Sequence, residues 1–281
     1  MARPPFLSSK PSAGSSCGED FRSPRLLQFS GAAHLRWKKF LGAGEDGFVI
    51  QATTDTSQLA IKFFYHSRPP PAHPHQRYWA LERECRVASL LAMMQKASQQ
   101  RNETGRPAVY INPEPKTHQD ALANLAILSG ECCDENLQSN RRKPLTLNIR
   151  TSQCFGWFEV QPRIVLALFK KLPRKEYKLV PQLQRACDGL DGSERYVAVV
   201  YEYVPEGDLD AEIVQRHLDF FYLAGFGLMP FREQNWRGNV LVDHSDLIPP
   251  HIVKWWKPHY GRMEVGWYLE ELRKSSAMSK A

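Results

Sequence analysis

The sequence lacks long apolar segments. It contains no run of about eighteen apolar residues, the length that a membrane-spanning helix requires. Its first residues lack the apolar core of a signal peptide, and Glu19 and Asp20 argue against a transit peptide. We therefore expect a soluble, cytoplasmic protein whose residues 1–27 form a disordered tail.

Paired cysteines are also lacking. The six cysteines form no C-x-x-C motif and no Cys/His set at zinc-ligand spacing, which predicts reduced thiols and no metal site.

The formal net charge is +7, which favours polyanionic partners. A modestly basic balance is equally common in proteins that bind no nucleic acid.

A glycine-rich segment precedes a strand that carries a lysine. Gly42, Gly44 and Gly47 fit the pattern G-x-G-x-x-G-x-V, and Lys62 follows in the strand-like segment LAIK. Glycines let a turn lie against phosphate, and the strand holds an ammonium beneath it. The segment therefore predicts a phosphate-covering hairpin, with an ordinary hairpin turn as the alternative.

An amphipathic helix is predicted from Tyr78 onward, because its apolar residues recur at spacings of three and four. Glu82 and Glu84 of this helix are candidate partners for Lys62, since such an ion pair orients the lysine toward phosphate in protein kinases. We favour Glu84. Two solvated charges on the helix face are the alternative.

The rest of the chain predicts further strands and one insertion. Strands are predicted at 152–160 and 163–169 and again from Tyr196 onward. Residues 98–144 are rich in Asn, Pro, Gln and charge, which predicts a partly disordered insertion with a helical patch at 119–129.

These elements predict an α+β protein with a protein-kinase-like, two-lobed fold. A single domain is expected over 28–281. Its antiparallel-sheet N-lobe would cover about 28–204, and a truncated helical C-lobe would cover about 205–281.

The chain departs from the protein-kinase pattern in this second half. Asn239 and Asp243 stand near the places of the metal-binding asparagine and aspartate, but no aspartate stands where the catalytic base is expected. The remaining chain is too short for an activation segment and a peptide-docking lobe. The sequence therefore argues against protein phosphorylation, which needs both.

Basic residues concentrate in two segments that are candidate contacts for RNA phosphates. Trp157 and Trp236 are candidates for stacking on a terminal base. Solvated protein faces carry similar charge runs, which is the alternative reading. The predicted RNA-binding residues are Arg141, Arg142, Lys143, Lys170, Lys171, Arg174, Lys175 and Lys178.

Four motifs resemble those of a known family: ECR at 84–86, YEYVPE at 201–206, LDFFYLAGF at 218–226 and NWRGNVLVDHSD at 235–246. With the glycine segment, they resemble the Fta-two family of fungal kinetochore subunits over about residues 40–250. The same superfamily includes the arginine-containing cyclodipeptide synthases of filamentous fungi, which use charged tRNAs as substrates.

The resemblance implies an aminoacyltransferase that condenses arginine with a second amino acid from aminoacyl-tRNAs into a cyclic dipeptide. It implies no cofactor, no DNA and no membrane partner. The D-D-x-x-E motif of these enzymes is matched by Asp208 and Glu212, with Leu209 in the second place and Asp210 as a substitute one residue later. These three acids are the candidate catalytic residues. Capping of the following helix is the alternative role for Asp208 and Asp210.

The chemistry suits acidic residues. An aminoacyl ester is already activated, so the reaction needs positioning, a base for the incoming α-ammonium and recognition of the side chain. A carboxylate can bind a guanidinium bidentately or accept that proton, and the sequence leaves both roles open. No G-x-S-x-G elbow or Cys/His pair indicates a covalent intermediate, so direct aminolysis and an unrecognised nucleophile both remain open.

Two other functions remain open. One is a non-enzymatic interaction module at the kinetochore, with a nuclear location. The other is a small-molecule kinase. Its phosphate site, vestigial if the protein is a synthase, would consist of Gly42, Gly44, Gly47, Lys62, Glu84 and Asp243.

Overall fold

The structure of the protein is a computed structural model. Its largest sheet is a five-stranded antiparallel sheet. The structure describes residues 4–10, 18–44, 46–66, 69, 79–103, 109–129, 143–145, 149–169, 195–228, 233–251 and 259–266. Helices and strands both contribute to this part of the chain, so the predicted α+β class is confirmed.

The described helices are α1 (Gly18–Arg22), α2 (Ala80–Glu103), α3 (His118–Ser129), α4 (Pro162–Phe169) and α5 (Ala211–Leu223), with short 3-10 helices at Ser30–His34 and Glu233–Asn235. The large sheet consists of β3 (Arg36–Ala43), β4 (Gly47–Thr53), β5 (Gln58–Phe64), β8 (Cys154–Val160) and β9 (Tyr196–Glu202). Short strands pair two by two: β1 (Leu7–Ser8) with β2 (Leu26–Leu27), β6 (Val109–Ile111) with β7 (Lys143–Leu145), β10 (Gly227–Leu228) with β13 (Leu247–Ile248), and β11 (Trp236–Arg237) with β12 (Val240–Leu241).

The chain divides into two compact units. The first unit comprises Met1–Pro11, Arg25–Cys85 and Gln153–Tyr203, and the second comprises Ser12–Pro24, Arg86–Ser152 and Val204–Ala281. Residues 86–152 therefore group with the second unit, although we expected them within an N-lobe spanning 28–204. The reason is that α2 from Val87 onward carries apolar side chains that belong to the second core.

The large sheet forms the first unit, in the strand order β3-β4-β5-β9-β8. Alternate residues of each strand point to opposite faces, so every second apolar residue joins one core. In β4 and β5 these residues are Phe48, Ile50, Ala52, Leu59, Ile61 and Phe63. Val165 and Leu168 of α4 belong to the same core. The intervening positions, which include Lys62, lie on the other face.

The second unit has its own core around α5. Val214, Leu218 and Phe221 recur at helical spacing on α5 and join apolar residues of α2 and α3. The buried amide of Asn124 accepts from the Asn112 N–H at 3.0 Å and donates to the carbonyls of Asn112 and Leu223, both at 2.9 Å. Because this polar side chain is fully paired, its burial carries no desolvation penalty for an unmet hydrogen bond.

The predicted strand at 163–169 is wrong, because these residues form helix α4. Pro162 occupies the first helical position, where a missing N–H leaves no bond unmade. Ile164, Val165 and Leu168 then lie on one side of the helix, a spacing that fits 3.6 residues per turn better than the two-residue repeat of a strand.

The predicted disorder of residues 1–27 is wrong for the described residues 4–10 and 18–27. Phe6 and Phe21 are each 1% exposed, and β1 pairs with β2 in parallel. Phe6 meets the ring of Trp79 edge-on at 5.0 Å. Burial of each aromatic ring offsets the entropy lost when these segments become ordered.

Residues 98–144 are only partly described. The predicted helical patch at 119–129 is confirmed as α3, and the end of α2 and strands β6 and β7 also fall in or next to this segment. Its predicted disorder concerns residues outside the described ranges.

Candidate functional site

A buried ion pair occupies the face of the sheet that bears Lys62. The Lys62 ammonium on β5 donates to Glu84 Oε2 on α2 at 3.1 Å, and Glu84 is completely buried. The preference for Glu84 over Glu82 as the partner of Lys62 is thus confirmed. The ammonium also lies 5.6 Å from the centroid of the Phe64 ring, within the range of a cation–π contact.

Tyr201 is a third member of this buried group. Its hydroxyl donates to Glu84 Oε1 at 2.7 Å, so each carboxylate oxygen of Glu84 accepts from a different side chain. Burial, followed by the charge of Glu84, holds the pKa of Tyr201 well above its usual value, and the hydroxyl stays a donor. The sequence reasoning missed Tyr201, because it lies in an apolar strand 117 residues from Glu84.

The three glycines of the hairpin have different structural roles. A Cβ atom at Gly47 would lie 2.0 Å from the carbonyl oxygen of Phe63, so packing alone requires glycine there. A Cβ atom at Gly42 or Gly44 would meet no other described residue within 4 Å. The Gly44 N–H donates to the Gly47 carbonyl at 2.8 Å and closes the turn. Space for an external group is therefore left beside Gly42 and Gly44.

The candidate acids at the start of α5 differ in what their side chains do. Asp210 is the N-cap of the helix, and its carboxylate accepts from the N–H groups of Glu212 at 2.9 Å and Ile213 at 3.3 Å. Asp208 and Glu212 are exposed, and neither side chain has a hydrogen bond or ion pair within the described part of the chain. The capping role is thus observed for Asp210.

A short hairpin holds the segment that precedes α5. The side-chain oxygen of Asn239, between β11 and β12, accepts from the Asp210 N–H at 2.8 Å. Gly238 has a φ of +54° and donates its N–H to the Gly207 carbonyl at 3.1 Å. Arg237 of β11 forms an ion pair with Glu206. This NWRGN segment therefore fixes the backbone that presents the exposed acids.

Asp243 lies in the second unit, in the loop after β12. Its Oδ1 accepts from the Ser245 N–H at 3.0 Å, an arrangement typical of a turn. Asp246 of the same loop accepts at 2.6 Å from the side-chain amide of the buried Asn235, which ends the 3-10 helix before β11. No group of three His, Cys, Asp or Glu side chains within the described ranges is placed to hold a metal ion.

Both tryptophans proposed to stack on a nucleic-acid base are buried, so that prediction is wrong. Trp157 is 1% exposed and its indole N–H donates to the Ser8 carbonyl at 3.1 Å. Trp236 is 7% exposed and meets the His217 ring edge-on at 5.3 Å. Each indole packs inside its own unit, where no base reaches its face.

Of the predicted RNA-binding residues, Lys143 lies within the described residues, on β7, where it is exposed. The other seven lie outside the described ranges: Arg141, Arg142, Lys170, Lys171, Arg174, Lys175 and Lys178.

Two histidines of the second unit have pKa values below the usual one. The Nε2 atom of His217 accepts from the Arg150 N–H at 2.8 Å, and Nδ1 lies 2.8 Å from the Ile213 carbonyl. Burial lowers the pKa of His217. Burial, with the nearby charge of Arg86, lowers the pKa of His251 to about 4. Neither ring nitrogen of His251 has a hydrogen-bond partner in the described structure.

Burial also raises the pKa of the Cys154 thiol to about 12, which makes it a poor nucleophile at neutral pH. Among the described helices, none combines the length and apolar character needed to cross a membrane.

Comparison with known proteins adds no assignment: no protein-family model matches the chain, and a search of curated proteins finds no match.

Proposed function

We propose that the first unit is a protein-kinase-like N-terminal lobe, and that the chain as a whole has a kinase-like, two-lobed fold with a reduced second lobe. The buried Lys62–Glu84 pair supports this reading. In protein kinases the corresponding lysine lies on the third strand of the sheet and its glutamate on the next helix. Here β5 is the third strand of the large sheet in chain order, and α2 follows it.

We further propose that the protein is an arginyl-tRNA-dependent cyclodipeptide synthase. The single observation that supports it best is that the three acids at the start of α5 have different structural roles. Asp210 is used as a helix cap, whereas Asp208 and Glu212 present exposed carboxylates without partners among the described residues. These two are the acids that occupy the first and last places of the D-D-x-x-E pattern.

The proposed reaction joins two activated esters. The α-amino nitrogen of one aminoacyl-tRNA attacks the ester carbonyl carbon of the other. The C–N bond forms, the ester C–O bond breaks, and the freed tRNA hydroxyl takes up a proton. A second aminolysis, now within the dipeptidyl ester, closes the ring and releases the other tRNA. The ester supplies the driving force, so neither ATP nor a redox partner takes part.

Asp208 and Glu212 have two chemical roles in this scheme. One carboxylate binds the arginine guanidinium through paired hydrogen bonds, which selects arginyl-tRNA. A carboxylate also accepts the proton that the α-ammonium must lose before its nitrogen can attack. The two roles differ in their consequences, because loss of the guanidinium contact changes amino-acid selectivity, whereas loss of the base lowers the rate with every amino acid.

The test is incubation of the purified protein with a pool of charged tRNAs that includes arginyl-tRNA, followed by mass spectrometry. We expect a cyclic dipeptide that contains arginine. The absence of any cyclic product, with every pool tested and with protein that is demonstrably folded, overturns the proposal. Charged tRNAs are cytoplasmic, so this function also implies a cytoplasmic location.

A second candidate function is a small-molecule kinase, favoured by the Lys62–Glu84 pair and the open space beside Gly42 and Gly44. A phosphate group fits beside glycines whose missing side chains leave the backbone accessible. ATP with magnesium should then raise the melting temperature, because a ligand that binds the folded state stabilises it. No shift at millimolar ATP rejects this candidate.

A further inference from the structure

Strand β3 carries two consecutive exposed lysines at a break in its pairing. Trp37 pairs with Ala52 and Phe40 pairs with Ile50, so Lys38 and Lys39 together lie opposite one residue of β4. This is a β-bulge, in which the strand gains one residue over its partner.

The bulge follows from the spacing of the two aromatic residues. Trp37 and Phe40 both pack against the core on the α4 side of the sheet. Residues three apart in a regular strand would point to opposite faces, so both reach this core only if the strand contains an extra residue. The two lysines between them are exposed and lie on the opposite side, which is also the side of Lys62.

The positive charges on this side of the sheet are not equivalent. Arg36 forms an ion pair with Asp55 at 2.9 Å and donates to the Thr54 carbonyl. Lys62 is paired with the buried Glu84. Lys38 and Lys39 form no ion pair within the described ranges. The bulge thus presents two adjacent ammonium groups whose charge nothing in the described first unit neutralises.

We infer that Lys38 and Lys39 form a contact for the phosphate backbone of tRNA. The inference rests on the proposed function, which makes tRNA the polyanion that this protein meets. Two flexible ammonium groups side by side match consecutive phosphates, and each contact releases condensed counterions from the RNA. The remaining predicted RNA contacts rest on basic segments of the sequence alone, whereas Lys38 and Lys39 have a known place on strand β3.

A different reason for lysines on β3 is protection of the sheet edge. β3 is the outer strand of the five-stranded sheet, and lysines and bulges on such strands discourage pairing with a second chain. The two explanations predict different consequences of removing the charges. Loss of an RNA contact weakens tRNA binding in a salt-dependent way, whereas loss of edge protection promotes self-association.

The test measures binding of deacylated tRNA by fluorescence anisotropy at several salt concentrations. In the double variant Lys38→Gln/Lys39→Gln, we expect the slope of log affinity against log salt to fall by about 1 to 2, since each phosphate contact contributes up to about 0.9. Affinity at about 0.1 M salt should fall about tenfold or more. The charge-preserving variant Lys38→Arg/Lys39→Arg should retain both values.

A matched control removes the same charge elsewhere. Lys10 and Lys96 are exposed, so Lys10→Gln/Lys96→Gln lowers the net charge equally. An equal loss of slope in this control, or an unchanged slope in the Lys38/Lys39 variant, overturns the contact. So does the absence of any tRNA binding by the wild-type protein. Unchanged tRNA binding with new dimers in light scattering assigns the lysines to edge protection and likewise overturns it.

Because no product is measured in this experiment, its failure differs from failure of the proposed function. A reduced slope in a protein that makes no cyclic dipeptide supports the RNA contact and rejects the synthase. An unchanged slope in a protein that does make the product rejects the contact alone.

Discussion

The buried group of Lys62, Glu84 and Tyr201 predicts a distinctive order of stabilities among its variants. Lys62→Met leaves the Glu84 charge with one fewer donor in a dry environment, and breaking a buried ion pair in this way costs about 3–5 kcal/mol. Tyr201→Phe removes a hydrogen bond to a charged group, which is worth about 1.5–3 kcal/mol. Glu84→Leu should lower the free energy of unfolding most, because it removes the buried carboxylate that accepts from both Lys62 and Tyr201.

The combined variant Lys62→Met/Glu84→Leu/Tyr201→Phe removes every charge and donor of the group at once. Apolar replacements of a buried ion pair are often neutral or stabilising, so this variant should recover most of the stability that Glu84→Leu loses. If the protein is the small-molecule kinase, this variant should nevertheless be inactive, because Lys62 belongs to its phosphate site. This single variant would then have recovered its folding stability while lacking activity.

Urea titration followed by circular dichroism and by the fluorescence of buried tryptophans provides the measurement. With a slope of about 2 kcal/mol per molar urea, Lys62→Met should lower the midpoint by about 1.5–2.5 M. Against a typical domain stability of about 5–15 kcal/mol this is a large loss. A Lys62→Met midpoint equal to that of the wild type would refute the reasoning. A combined variant less stable than Glu84→Leu would refute it as well.

Three further predictions concern the hairpin, the helix cap and pH. Gly47→Ala should cost about 1–3 kcal/mol because its Cβ meets the Phe63 carbonyl, whereas the control Gly42→Ala should stay within about 0.5 kcal/mol; equal melting temperatures would contradict this. Asp210→Ala should lose about 1 kcal/mol by thermal melting and Asp210→Asn little, and an unaffected Asp210→Ala would exclude the cap. The pKa of His251 is about 4 in the folded state, below its usual 6.5. Because the unfolded chain binds this proton more readily, the free energy of unfolding should be unaffected by His251 above pH 6.5 and should fall by up to about 3 kcal/mol toward pH 4. His251→Gln should flatten this decline of stability with falling pH, and equal pH dependence in both proteins would contradict the prediction.

Local sequence patterns predicted the parts of the site that depend on spacing. Glu84 follows from helical periodicity and from its distance to a strand lysine. An aspartate just before an amphipathic segment predicted the cap, with Asp208 and Asp210 both as candidates, and the structure shows Asp210 in this role. Both involve residues on neighbouring elements of the sequence, so a local pattern limits each choice to two candidates.

The features that sequence reasoning missed depend on long-range packing. Tyr201 reaches Glu84 only because β9 pairs beside β5, which no local pattern around Tyr201 reveals. Trp157 was expected to stack on a base, yet its strand turns the ring into the first unit. At 163–169 the apolar spacing fits a helix better than a strand, and Pro162 at the first helical position was a second signal for a helix that the strand prediction missed.

The synthase proposal is tested most directly by measuring product formation and melting temperature in Asp208→Ala and Glu212→Ala. Both side chains are exposed and lack partners within the described residues, so we expect melting temperatures close to wild type and loss of the arginine-containing cyclic dipeptide. Glu159→Ala removes an equally exposed acid on β8 and should retain both properties. Full product formation by both Asp208→Ala and Glu212→Ala would contradict the account.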